Sequence, residues 1–311
     1  MTTSGSPWAF QVHPAAWVVV AALVVTYAVL VRRPAYAATG RQVWAFTGGA
    51  AALLVALTWP LADLAAHWLL VALVAQRLIL MLVAPALLLL GLPSSLAATL
   101  TRPAPVDAAV RVLARPPVAV IVVTVVAVGT LTTGAVDAQS SSAVARAVID
   151  LLVLASGFVL WMPILLRVPG TRRPSALGRA GYLIVQSIVP SFLAVVWIFA
   201  RHPLYPPYAG PGRVLGLAPV TDQQVAGFAA KLGTIAVLWT VAFVVITRAQ
   251  AGSEPDEEPL TWADVERRLQ RVARYERRHG AGPAEPPAVP PTPPAPPAPP
   301  EGTDRGEDHR G

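Results

Sequence analysis

Apolar residues run along this chain in long unbroken stretches, not in the alternation of a half-buried strand. Seven stretches stand out: residues 15–31, 43–60, 65–91, 117–135, 144–166, 178–200 and 224–247. Each has roughly the length at which a helix crosses a bilayer. The pattern therefore predicts an all-α, polytopic integral membrane protein with seven transmembrane helices over residues 15–250, preceded by a short segment over 1–14.

The polar breaks between stretches orient the predicted helices. Arg32, Arg33 and Arg41 follow the first stretch, Arg102, Arg111 and Arg115 the third, and Arg167, Arg172 and Arg173 the fifth. The breaks around Asp63 and Asp137 hold no arginine, and only the segment 201–223, with Arg201 and Arg213, departs from the alternation. Basic residues collect on the cytoplasmic side of short loops. The N-terminus is thus expected outside and the C-terminus in the cytoplasm, with the first stretch an uncleaved anchor. Beyond the last stretch, "TWADVERRLQRVARYERRH" carries Val265, Leu269 and Val272 against many arginines. It reads as an amphipathic helix over 260–279, lying on the inner leaflet or solvated. Residues 280–311 form a proline-rich tail of the kind that stays unfolded.

Composition sharpens the class. Charged residues make up 13% of the 311 and hydrophobic ones 55%, against about 25% charged in soluble domains. There is no cysteine, so neither disulfides nor thiolate ligands are available. The net charge of +7 is spread between apolar stretches, which fits membrane topology and no nucleic-acid partner. Only Met81 and Met162 lie within the stretches, which excludes a thioether-rich copper path.

Against this apolar background the polar exceptions are the candidate chemistry, since ionisable residues inside spans face the bundle interior and mark function by default. They include Arg77, with Gln76 beside it, Arg146, Asp150 and Lys231. Arg146 and Asp150 stand four apart and can pair on one helix face; Arg77, three turns into its span, needs Asp150 or backbone carbonyls. A polar clamp between helices and an active centre both remain open. On the expected outer side lie His13, His67 and His202, and Asp63 and His67 share a helix face that can present both to a metal. Interfacial histidines without a ligand explain the same positions.

Three stretches together resemble the CtaG family of bacterial cytochrome c oxidase assembly factors. "LVAPALLLLGLP" closes the third span as the family's Ala-Pro-Leu-Leu…Gly-x-Pro ending does, and "LWMPILLRVPG" is similar to its Trp-Trp-Pro stretch. "HPLYPPYAGPGRVLGLAPVTDQQVAG" looks like its Leu-Tyr-Pro-x-Tyr, Gly-Leu and Asp-Gln-Gln-x-Ala-Gly series. The resemblance covers about residues 10–275. It implies a multi-pass protein of the bacterial plasma membrane that helps form the copper centre of the oxidase's catalytic subunit. It also implies a departure. The two histidines of the family's HMxxH element fall on Leu73 and Arg77, and its histidine-rich part of the fifth span falls on Arg146, Ile149 and Asp150. Copper takes imidazole or sulfur ligands, and a guanidinium cannot become one. An Arg77–Asp150 pair is expected to tie the third and fifth spans in place of metal.

The segment 201–223 is dense in proline and glycine, with Tyr205 and Tyr208 as expected interfacial anchors and Asp222 as an expected cap of the last helix, followed by Gln223 and Gln224. No nucleophile–base pair, phosphate loop or zinc motif appears, so no enzyme is expected. The expected function is membrane-embedded oxidase assembly with copper as the implied metal and the lipid bilayer as surroundings. A metal-free scaffold and a small transporter or anion binder are the alternatives.

Overall fold

The computed structural model describes residues 8–166, 174–188, 191–210, 214, 216–251 and 270. The chain divides into two units, Met1–Ser253 and Glu254–Gly311. The expected amphipathic helix and proline-rich tail belong to the second, and lie outside the described residues except for Gln270.

The described residues are helical, without strands. In order they form α1 (Pro14–Val31), α2 (Gly40–Leu57), α3 (Leu61–His67), α4 (Leu70–Leu78), a π-helical turn (Ile79–Val83) and α5 (Ala84–Gly91). There follow α6 (Ser94–Leu100), α7 (Ala104–Leu113), α8 (Pro116–Gly129), α9 (Thr133–Ser141), α10 (Ala143–Leu165), α11 (Ala176–Ile188), α12 (Ser191–Phe199) and α13 (Pro219–Ala251). Six helical segments are long and apolar enough to cross a membrane, and α7 with α8, bent by 86°, makes a seventh candidate.

Two predicted spans have different bounds from those expected. The stretch 65–91 divides: residues up to His67 belong to α3, which continues α2 past a turn at Trp59–Pro60, and the next crossing starts at Leu70. The reason is local. A proline cannot donate within a helix, and Leu69 is extended, with φ −137° and ψ 124°. The stretch 117–135 ends early, at Gly129. The Thr130 hydroxyl donates to the carbonyl of Val126 and the Thr132 hydroxyl to that of Gly129, side-chain bonds of the kind that compete with the helical ladder.

Small residues let the central helices approach closely, as in membrane bundles generally. A Cβ on Gly157 of α10 would sit 2.5 Å from the Met81 carbonyl oxygen and 2.6 Å from Pro85 Cγ, so only glycine allows this contact. Gly91 of α5 likewise lies against the backbone of Phe46 in α2, and its carbonyl accepts from the Tyr27 hydroxyl at 2.9 Å. Tyr27 stacks on Phe46 with an interplanar angle of 6°, which joins α1 to the α2–α5 pair.

Candidate functional site at the histidine end of the bundle

Successive crossings alternate in direction, and long-range hydrogen bonds gather the N-termini of α1, α4, α10 and α13 at one end. His13, just before α1, bonds Asp63 of α3 through Nε2, at 3.0 Å to Oδ2 and 3.2 Å to Oδ1. Asp222, in the first turn of α13, reaches across to α4. Its Oδ2 accepts from the Leu70 amide at 2.6 Å and its Oδ1 from the Val71 amide at 3.1 Å. Asp222 therefore caps the third crossing, not the last helix as expected. Leu69 has no side-chain oxygen to offer, so α4's first amides need an acceptor from elsewhere. A carboxylate there also meets the positive end of the helix dipole.

The other motif residues of the 201–223 segment bind the loop to the same end of the bundle. The Gln223 carbonyl oxygen accepts from the Leu204 amide at 2.8 Å, and the Gln224 amide donates to the Ala200 carbonyl at 3.5 Å. Tyr205 and Tyr208 are not interfacial anchors: both are buried. The Tyr205 hydroxyl donates to the Leu131 carbonyl at 2.7 Å and accepts from Trp197 Nε1 at 3.1 Å, while the Tyr208 hydroxyl donates to the Ala65 carbonyl. Burial pushes both phenols up, against the opposing charge of Arg77, so both stay protonated donors across the neutral range.

Beneath this cap lies Arg77, only 6% exposed. Its Nη1 donates to Thr130 Oγ1 at 2.7 Å, and its Nη2 to Gln139 Oε1 at 2.8 Å and to the Thr130 carbonyl at 3.3 Å. Gln139 carries a second cation on its backbone: its carbonyl accepts from Arg146 Nε at 3.1 Å. One residue of α9 thus ties α4 to α10. The expected direct Arg77–Asp150 pair is absent. No ion pair within 4.0 Å joins them among the described residues, and Asp150 acts on both arginines only through longer-range electrostatics. Nor does Arg146 turn to Asp150, four residues on; its Nη2 lies 3.2 Å from His67 Nε2 instead. A guanidinium can only donate, so that imidazole nitrogen accepts and its lone pair is engaged.

Gln76 donates to the Ala56 carbonyl at 2.9 Å and fastens α4 to α2. Lys231 of α13 is half-buried, with no hydrogen bond or ion pair among the described residues. The metal candidates do not converge. His13 and Asp63 meet, His67 faces Arg146, His202 is exposed, and no group of three or more His, Cys, Asp or Glu gathers among the described residues. Leu73, one implied ligand position, is a buried apolar side chain, and Arg77, the other, donates to three oxygens of Thr130 and Gln139. As a donor set these residues do not fit an intramembrane copper ion.

Thr130 and Gln139 escape a reading of the sequence: Thr130 falls inside an apolar stretch, Gln139 in the short polar break after it, and neither carries a charge. A faint signal exists in hindsight: Val136 and Gln139, three apart, are the buried positions of α9, so the glutamine shares the one helix face that packs inward.

Neither curated proteins nor solved structures gave a match to the chain. A family comparison did, over residues 16–251, most of the chain and all of the helices just described from α2 to α13. This protein belongs to the cytochrome c oxidase caa3 assembly factor family (Caa3_CtaG).

Proposed function

We propose that this protein is a non-enzymatic scaffold of the bacterial plasma membrane. It engages the catalytic subunit of cytochrome c oxidase at the outer face while that subunit's copper centre forms. The observation that carries this reading is the family match over residues 16–251. Arginine bias orients the bundle with seven crossings, the N-terminus outside and the C-terminus inside, which puts the histidine end, with its Tyr205–Tyr208 loop and Asp222 cap, on the outer side. Copper is then the client's cargo.

The Arg77–Gln139–Arg146 bracket supports the metal-free form of this reading. Its two arginines fill positions where the resemblance implies histidine ligands, and neutral oxygens accept from both Nη atoms of Arg77. A bracket of this kind holds the α4, α9 and α10 ends in one arrangement and so presents a preorganised outer surface, which lowers the ordering cost of binding a partner. The test is a deletion strain assayed for oxidase activity and oxidase spectra. Loss of mature oxidase, restored by the wild-type gene and not by a chain lacking the loop 201–210, is the expected result. Full oxidase maturation without the gene would refute the proposal.

A further inference from the structure

Arg77 has a second face. It lines a cavity of about 60 Å³ enclosed by α4, α8, α10, α12 and α13, together with Met81 of the π-helical turn, Thr130, Trp197 and Thr234. A water needs roughly 10–15 Å³ of such space and two to four polar partners. The volume would hold several waters, yet most of the wall is aliphatic or aromatic and offers them little. Val128, at 39% exposure, is the most open of the lining side chains. It belongs to α8, which packs on α10 and α11, while α12 packs on α13. Val128 of α8 is thus the apolar edge at which the cavity meets the surface, with α12 also in its wall.

Charge is the second observation. Arg77 is more than nine-tenths buried, and its Nε has no hydrogen-bond partner. Its other nitrogens meet only neutral oxygens, and no carboxylate lies within 4.0 Å. Its free Nε–H is a charge-assisted donor, and a carboxylate oxygen is an acceptor suited to it. The occupant must also tolerate apolar walls and enter from hydrocarbon. π-Helical turns are frequent at functional sites, and this one carries Met81 into the wall.

We propose that this cavity binds a single-chain carboxylate amphiphile: its head accepts from Arg77, and its alkyl chain passes Val128 into the bilayer between α8 and α12. This inference stands apart from the scaffold role, because it requires no oxidase. The test uses the full-length protein in a non-ionic detergent, with hexadecanoate and hexadecan-1-ol as probes and native mass spectrometry and thermal unfolding as readouts. Hexadecanoate should bind one per chain and at least about tenfold more tightly than the alcohol, as expected for one charge-assisted hydrogen bond. Val128→Trp, which fills the mouth without touching the bracket, should abolish binding while the unliganded melting temperature stays near wild type. Arg77→Gln should erase the preference for the carboxylate. Equal binding of acid and alcohol by the wild-type protein would overturn the proposal, as would hexadecanoate binding that survives Val128→Trp. If Arg77→Gln fails to fold, the head-group comparison and the mouth variant still decide.

Discussion

Replacing Gln139 with leucine removes one acceptor from a buried cation, along with its side-chain interaction with Tyr208. The side chain is 2% exposed, and leucine nearly conserves its volume, so no large cavity opens. What disappears is the 2.8 Å bond from Arg77 Nη2, leaving that nitrogen only the Thr130 carbonyl at 3.3 Å. Hydrogen bonds to charged groups are worth about 1.5–3 kcal/mol, so Gln139→Leu should destabilise by about 2 kcal/mol. Arg77→Met fails in the complementary way, by stranding Gln139 Oε1, while the Thr130 hydroxyl keeps the Val126 carbonyl. Changing both partners to apolar residues removes the demand along with the supply. The double variant should therefore recover about 1–2 kcal/mol relative to the sum of the single effects. Unfolding by sodium dodecyl sulfate from mixed micelles, followed by tryptophan fluorescence, measures all four corners of the cycle. A parallel cycle of Arg77→Met with Asp150→Asn should show the smaller coupling, since those groups are not within ion-pair distance. Additivity for Arg77 with Gln139, within about 0.5 kcal/mol, would refute the bracket. Larger coupling to Asp150 would restore the direct pair that the sequence leads one to expect.

Further expectations follow from single contacts. Asp222→Ala should cost about 1–2 kcal/mol by uncapping α4, and Asp222→Asn less, because an amide oxygen still accepts without the charge–dipole gain; the same unfolding assay resolves the two. Gly157→Ala should destabilise by about 1–3 kcal/mol through overpacking against Met81 and Pro85, whereas Gly134→Ala, with open space around it, should be nearly silent. Reporter fusions near Asp137 and Tyr208 should lie outside and those near Arg111 and Arg172 inside; an inside position for Tyr208 would overturn the orientation drawn from arginine bias.

The crossings were legible because hydrocarbon leaves a strong mark: long apolar stretches bounded by arginine need no knowledge of packing. Their breaks were less so. Leu69 looks like any residue of its run, and only the extended backbone after α3 reveals that one crossing ends and another begins. The site shows the same division. Arg77, Arg146, Asp63, the two tyrosines and Asp222 stand out in the sequence as polar groups near apolar ones, but their partners do not. Asp222 caps a helix 152 residues away in sequence, and the amides at Leu70 and Val71 carry no side-chain signature. Spacing favours the i, i+4 neighbour, which pairs Arg146 with Asp150 and sets Asp63 beside His67 as a possible co-ligand. In the fold, Arg146 takes Gln139 and His67, and Asp63 takes His13. Tertiary acceptors outcompeted local ones, and neutral oxygens did work that charge counting reserves for carboxylates.

The claim that this family member holds its bundle together without copper is tested most directly by metal stoichiometry. Purified full-length protein would be loaded anaerobically with cuprous ion, dialysed against a competing chelator and assayed for copper per chain, beside the His13→Ala, His67→Ala double variant. The account predicts no copper retained within the bundle, with any residual binding lost in the double variant. One tightly held cuprous ion per chain that persists without His13 and His67 would contradict it, and would place a metal site among residues that the Arg77 bracket is said to have replaced.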